Sequence, residues 1–217
     1  MSGGDLMKKL GVLLVILMIS LTSFSMLSTI AEAKQSECIT GSRMKAKEEM
    51  RILWNDHVIY TRQYMISAVD GLEDQDVVLS RLLQNQKDIG NAIKPYYGEE
   101  AGNKLADLLT EHIVLAGKIV DAAKNGKQAN VKKLNKEWYR NADDIAGFLS
   151  KANPYWSEKA LKDLLYMHLQ FVTDEAVARI NKDWKAHINS FDNGKSHIIQ
   201  LSDTLSAGIA KQFPEKF

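Results

Sequence analysis

Two stretches of the chain carry the same residues in the same order and at the same spacing, and this limits the fold more than any other feature. Asn85, Asp88 and Ile89 recur as Asn141, Asp144 and Ile145, while Leu105, Asp107, Leu108, Leu109 and His112 recur as Leu161, Asp163, Leu164, Leu165 and His168. A pattern that keeps Asn, Asp and His among leucines predicts one helical unit used twice, its polar groups brought together about an approximate twofold axis. A shared internal site is the natural expectation.

Beyond the N-terminal leader, apolar residues recur at three- and four-residue spacings and alternating strand-like runs are scarce, so the expected class is all-α. Pro95, Pro154 and Pro214 are the only prolines, each beside a helix end, where a missing amide donor costs least. The pattern predicts six helical segments, at about 43–70, 75–93, 98–125, 128–151, 156–181 and 183–211, with the weakest break near Asn181. Short connections favour antiparallel neighbours, hence an up-and-down bundle with an internal duplicated helix pair. A shorter echo links Trp54, His57 and Val58 to Trp184, His187 and Ile188, at an interval that does not match the first repeat. It suggests a permuted arrangement in which the first and last helices occupy equivalent places.

Residues 1–33 read as a signal peptide or N-terminal anchor. Lys8 and Lys9 precede an apolar run from Leu10 to about Ile30, and Ala31, Glu32 and Ala33 form a small-x-small cleavage pattern. Residues 34–42 then form a flexible leader and 43–217 the helical-bundle domain. The protein is expected to be exported, secreted or in the cell envelope, touching membrane only through its N-terminal segment. Cys38 is the sole cysteine, so no intramolecular disulfide supports the fold. A formal net charge of +1 argues against a nucleic-acid partner.

Helical stripes place four histidines inward. His57 falls with Met50, Trp54, Thr61 and Tyr64; His112 with Leu105 and Leu108; His168 with Leu161, Leu164 and Val172; His187 with Trp184, Phe191 and Ile198. Asn85 with Asp88, and Asn141 with Asp144, share faces flanked by Leu82, Ile89, Trp138 and Ile145. Buried imidazoles and carboxylates are costly without partners, so these groups should pair. One reading is a metal site of His57, His112, His168 and His187, or a small-ligand site, with Asn85, Asp88, Asn141 and Asp144 as binding or orienting groups. The other is a hydrogen-bond network that fixes helix register in a non-catalytic structural or interaction protein of the envelope.

Met65 and Met167 read as core fillers, and His197 as a surface or rim residue off the main stripe. Arg62 and Arg81 are expected in partly exposed salt bridges. Glu-x-x-His pairs, His-Glu-x-x-His, Cys-x-x-Cys-His, phosphate-binding glycine loops and Gly-x-Ser-x-Gly are all missing. Di-iron oxidase, zinc protease, covalent haem, nucleotide hydrolysis and serine-esterase chemistries thereby lose their usual supports. Acid–base chemistry on a His and Asp pair ranks third, for want of any substrate-specific motif.

From about residue 45 onward the chain resembles a family of uncharacterised bacterial helical proteins. The resemblance lies in Leu53, Trp54 and His57; Arg81, Leu82, Leu83, Asn85 and Asp88; the run Lys94, Pro95, Tyr96, Tyr97, Gly98; Trp138, Tyr139, Asn141, Ala142 and Asp143; and Lys211, Gln212, Phe213, Pro214. It implies a helical fold and brings no catalytic residue. Labels such as glycosyltransferase or acetylglutamate kinase, which members of such a family carry, do not suit this sequence. It has neither the alternating strands and helices nor the phosphate loops those folds require.

Overall fold

A computed structural model describes residues 41–217. Residues 1–33 with their cleavage pattern, Cys38 and residues 34–40 of the expected 34–42 leader lie outside the described residues, while Gly41 and Ser42 open the first helix. Five helices follow one another: α1 (Gly41–Asp70), α2 (Gln75–Lys124), α3 (Gln128–Ala152), α4 (Glu158–Ile180) and α5 (Trp184–Gln212), closed by a 3-10 turn at Pro214–Lys216. The described residues contain no strand, and the class is an all-α helical bundle. No helix among them is long and apolar enough to cross a membrane.

α2 is two arms, 75–97 and 99–124. Pro95 removes an amide donor and Gly98 takes φ 84° and ψ 170°, backbone angles that end a helix. The arms press together at Gly90 and Gly102, where a Cβ on either residue would collide with the other's carbonyl oxygen. Counting the arms separately gives the six segments expected from the sequence, with ends within a few residues.

The three sharp turns between antiparallel helices have one form. Gly71, Gly126 and Lys182 have φ of 71°, 68° and 60°, and the next amide reaches back to a carbonyl on the preceding helical turn. These bonds are Leu72 N to Ser67 O, Lys127 N to Ala122 O and Asp183 N to Ala178 O, each 2.9 Å. This left-handed residue with a long back-bond is the Schellman ending. Lys182 explains why the break near Asn181 is the hardest to see: a lysine, not a glycine, holds the left-handed position there. Asp183 offsets this by capping α5, its Oδ1 accepting from Ala186 N at 3.0 Å.

Apolar layers fill the interior. Ile89, Ile145 and Leu201 are all buried, as are Ile93, Leu149 and Leu205. At the proline end, Tyr97 packs its ring on Trp156 and Phe213, with centres 5.8 and 5.3 Å apart. Its hydroxyl donates to Gln212 Oε1 (3.0 Å) and accepts from Asn153 Nδ2 (2.9 Å). Three helix ends are tied by that one phenol. Two expected core residues face water instead: Trp184 is 52% and Met167 48% exposed. Trp184 opens α5 immediately after the turn, and there the Arg179 guanidinium covers its ring at 5.0 Å.

Candidate functional site

Three of the four inward histidines meet. His57 comes from the middle of α1, His112 from the second arm of α2 and His168 from α4, and all three are buried. The His168 ring centre lies 5.6 Å from that of His57 and 6.0 Å from that of His112. Indoles close the cluster on two sides, with Trp54 5.5 Å from His57 and Trp138 5.1 Å from His112.

Side-chain amides fix two of these rings. Asn141 Nδ2 donates to Leu108 O (3.0 Å) and to Glu111 Oε2 (3.3 Å), so its Oδ1 is the atom that faces His112 Nδ1, at 2.9 Å. Gln86 Nε2 is likewise committed to Leu82 O and Asn85 Oδ1, so its Oε1 faces His57 Nδ1 at 3.2 Å. Both Nδ1 atoms therefore carry the proton, and both Nε2 atoms are lone pairs. Asn85 completes the first latch by donating to Leu53 O at 3.0 Å. His168 Nδ1 is buried without a partner.

Burial makes the cluster neutral. Desolvation, then the neighbouring His112, pushes His57 down to about 3, although Gln86 pulls it upward. Desolvation takes His112 to about 4 against the opposing pull of Asn141. His168 falls well below 6.5 through desolvation and then through His57, His112 and His197.

The other expected members stand elsewhere. Asp88 is half-buried at the bundle edge, accepting from Gln84 Nε2 (2.9 Å) and lying 3.7 Å from Arg81. Asp144 is exposed and bound to Arg140 at 2.5 Å. Each follows its Asn by one step too few: the inward stripe continues through the next residue, Ile89 or Ile145. The carboxylates thus fall where water and arginine reach them.

His187 is buried but belongs to a second polar centre. Its Nδ1 donates to Glu175 O at 3.2 Å, and Glu175 lies two helical turns beyond His168, about 10 Å along α4. Glu175 accepts from Arg62 at 2.8 Å; burial nevertheless pushes its carboxyl up to about 7, against Arg62.

Sequence reasoning missed Gln86, Glu175 and the part played by His197. Gln86 sits directly after the recognised Asn85. Glu175 lies two turns after His168 on the same stripe, a usable signal. His197 is half-buried, and its Nε2 donates to Leu164 O at 2.7 Å, the same task that Asn141 performs on Leu108 O.

Chemically, the cluster offers neutral nitrogen lone pairs in a dry setting, with no carboxylate or thiolate in ring contact. Among the described residues no group of three or more His, Cys, Asp or Glu side chains is placed, as it stands, to hold a metal ion. The chain matches no family model, no curated protein and no solved structure, so the geometry alone carries the functional reading.

Proposed function

We propose that this is an exported, non-catalytic helical-bundle protein that binds a metal ion or small ligand at the cluster of His57, His112 and His168. One observation carries the reading. The amide oxygens of Gln86 and Asn141 hold the Nδ1 protons of His57 and His112, which leaves two Nε2 lone pairs beside a third imidazole. Neutral imidazole with its far N–H held by a carbonyl oxygen is the state in which histidine serves as a ligand or acceptor. Export rests on the basic and apolar leader, Lys8 through Ala33.

The test is native mass spectrometry and elemental analysis of the untagged protein recovered from its own host. A stoichiometric adduct that is lost in His112→Ala supports the reading. A second reading, a register-setting network with no ligand, draws on the latches themselves, since Asn85 and Asn141 each tie a side chain across to a neighbouring helix's carbonyl. An adduct-free protein that takes up neither metals nor haem, yet is destabilised by His112→Ala, would favour that second reading.

A further inference from the structure

Positions one repeat interval apart do the same work three times, not twice. The left-handed turn residues are Gly71, Gly126 and Lys182. The carbonyls of Leu53, Leu108 and Leu164 accept from Asn85, Asn141 and His197 respectively. Ile89, Ile145 and Leu201 share the core. The imidazoles of His57, His112 and His168 fall into the same register. His197 is thus the third counterpart of Asn85 and Asn141, and the expected pairing of His57 with His187 drops out.

We infer that the described chain is three copies of one helical hairpin about a local threefold axis, and that Nε2 of His57, His112 and His168 form one site for a divalent first-row transition-metal cation. This rests on the cluster being the ligand site proposed above, and it names the ligand's class. With metal–nitrogen bonds of about 2.0–2.1 Å and a ring centre about 1.1 Å behind each nitrogen, three imidazoles around one ion hold their centres about 5.2–5.5 Å apart. His168 stands 5.6 Å from His57 and 6.0 Å from His112, so binding draws its ring toward theirs by up to about 0.8 Å. Three neutral nitrogens without carboxylates suit zinc, cobalt, nickel or copper and reject calcium and magnesium, which take oxygen ligands.

The third hairpin leaves a narrow gap beside the cluster, with Phe171 packed against Gly194. Gly194 stands where the other two hairpins have the buried Leu82 and Trp138. A narrow cleft between α1, α4 and α5, lined by Val58, Thr61, Phe171, Glu175, Phe191 and Gly194, reaches His168 at that point. His197 gives its Nε2 proton to Leu164 O, so its Nδ1 is a lone pair. It stands at the same interval along the chain from His168 as Asn141 does from His112 and Gln86 from His57, while His168 Nδ1 itself has no hydrogen-bond partner.

The experiment titrates the metal-stripped, untagged full chain with cobalt(II) and then zinc at neutral to mildly alkaline pH. Expected are one cobalt per chain with visible ligand-field bands, displacement by zinc, and zinc-induced shifts of three Nε2 resonances in long-range 1H–15N spectra of the wild-type protein. His168→Ala and His112→Ala weaken binding at least about 100-fold, while His187→Ala, buried but outside the cluster, changes it less than about threefold. The Nε2 shifts come from unaltered protein, so a variant that fails to fold leaves the test standing. Absence of metal uptake by the wild type, or binding that survives His168→Ala, overturns the inference. An organic adduct dependent on His168 without metal uptake overturns the cation and leaves the ligand site intact; neither adduct nor metal overturns both.

Discussion

The two buried polar centres share a residue type and solve burial in opposite ways. Around His57, His112 and His168 the partners are neutral amides, so no charge enters the core. Around His187 the partners are Glu175 and Arg62, an ion pair at 2.8 Å with both side chains largely out of solvent. A neutral network asks only for matched donors and acceptors, whereas a buried ion pair must also offset the desolvation of two charges. The first centre therefore specifies register over a wide pH range above its own titration, and the second responds to pH near neutrality.

Acid should separate them most strongly. The pKa values of His57 and His112 in the folded protein, about 3 and about 4, lie below the ordinary 6.5, so the unfolded chain takes up protons first. Stability from the neutral cluster is complete above about pH 6.5 and drains as pH falls toward about 4, at about 1.4 kcal/mol per pH unit for each excluded imidazole. Glu175 acts with the opposite sign. Its carboxyl is raised to about 7 from 4.5, so its contribution is complete below pH 4.5 and is lost as pH rises through 7. Denaturant melts from about pH 4 to about pH 8 should therefore rise steeply with pH, and Glu175→Gln should make that rise steeper still. A rise that Glu175→Gln leaves unchanged would remove Glu175 from the balance.

Removing one partner outright comes next. Glu175→Ala leaves the half-buried Arg62 without its counter-ion and should cost about 3 kcal/mol, measured by urea unfolding. Asn141→Leu strands His112 Nδ1–H in the core and removes the second donor to Leu108 O, and should cost about 1–3 kcal/mol. A loss under about 1 kcal/mol in Asn141→Leu would show that the latch does not hold the imidazole layer. The smallest effect is expected at Asp144→Asn, which breaks an exposed contact with Arg140 and should move stability by no more than about 1 kcal/mol.

Much of the fold is legible in the sequence because its punctuation is local. Gly71, Gly126 and Gly98 each supply a conformation that few other residues tolerate, and the apolar spacing names most of the inward face of each helix, Met167 and Trp184 excepted. The Lys182 turn is hidden, since no residue type at that position advertises a left-handed backbone. In the site, the three imidazoles can be read from their stripes. The placements of Asp88 and Asp144 cannot, because one residue of helical phase, about 100°, decides between core and water. His187 misleads for a different reason. It does face inward, as its stripe predicts, but how far along the axis it sits follows from the turn at Lys182. The threefold recurrence is obscured where His197 replaces Asn, a change of residue that keeps the hydrogen bond to a leucine carbonyl.

The most direct test of the neutral cluster is the ionisation state of its rings in the intact protein. Long-range 1H–15N spectra of histidine-labelled protein should show His57 and His112 protonated at Nδ1, bare at Nε2, and unchanged between about pH 8 and about pH 5, with His168 equally silent. An imidazole of this group titrating near the ordinary value of about 6.5, or carrying its proton on Nε2 at His57 or His112, would contradict the account.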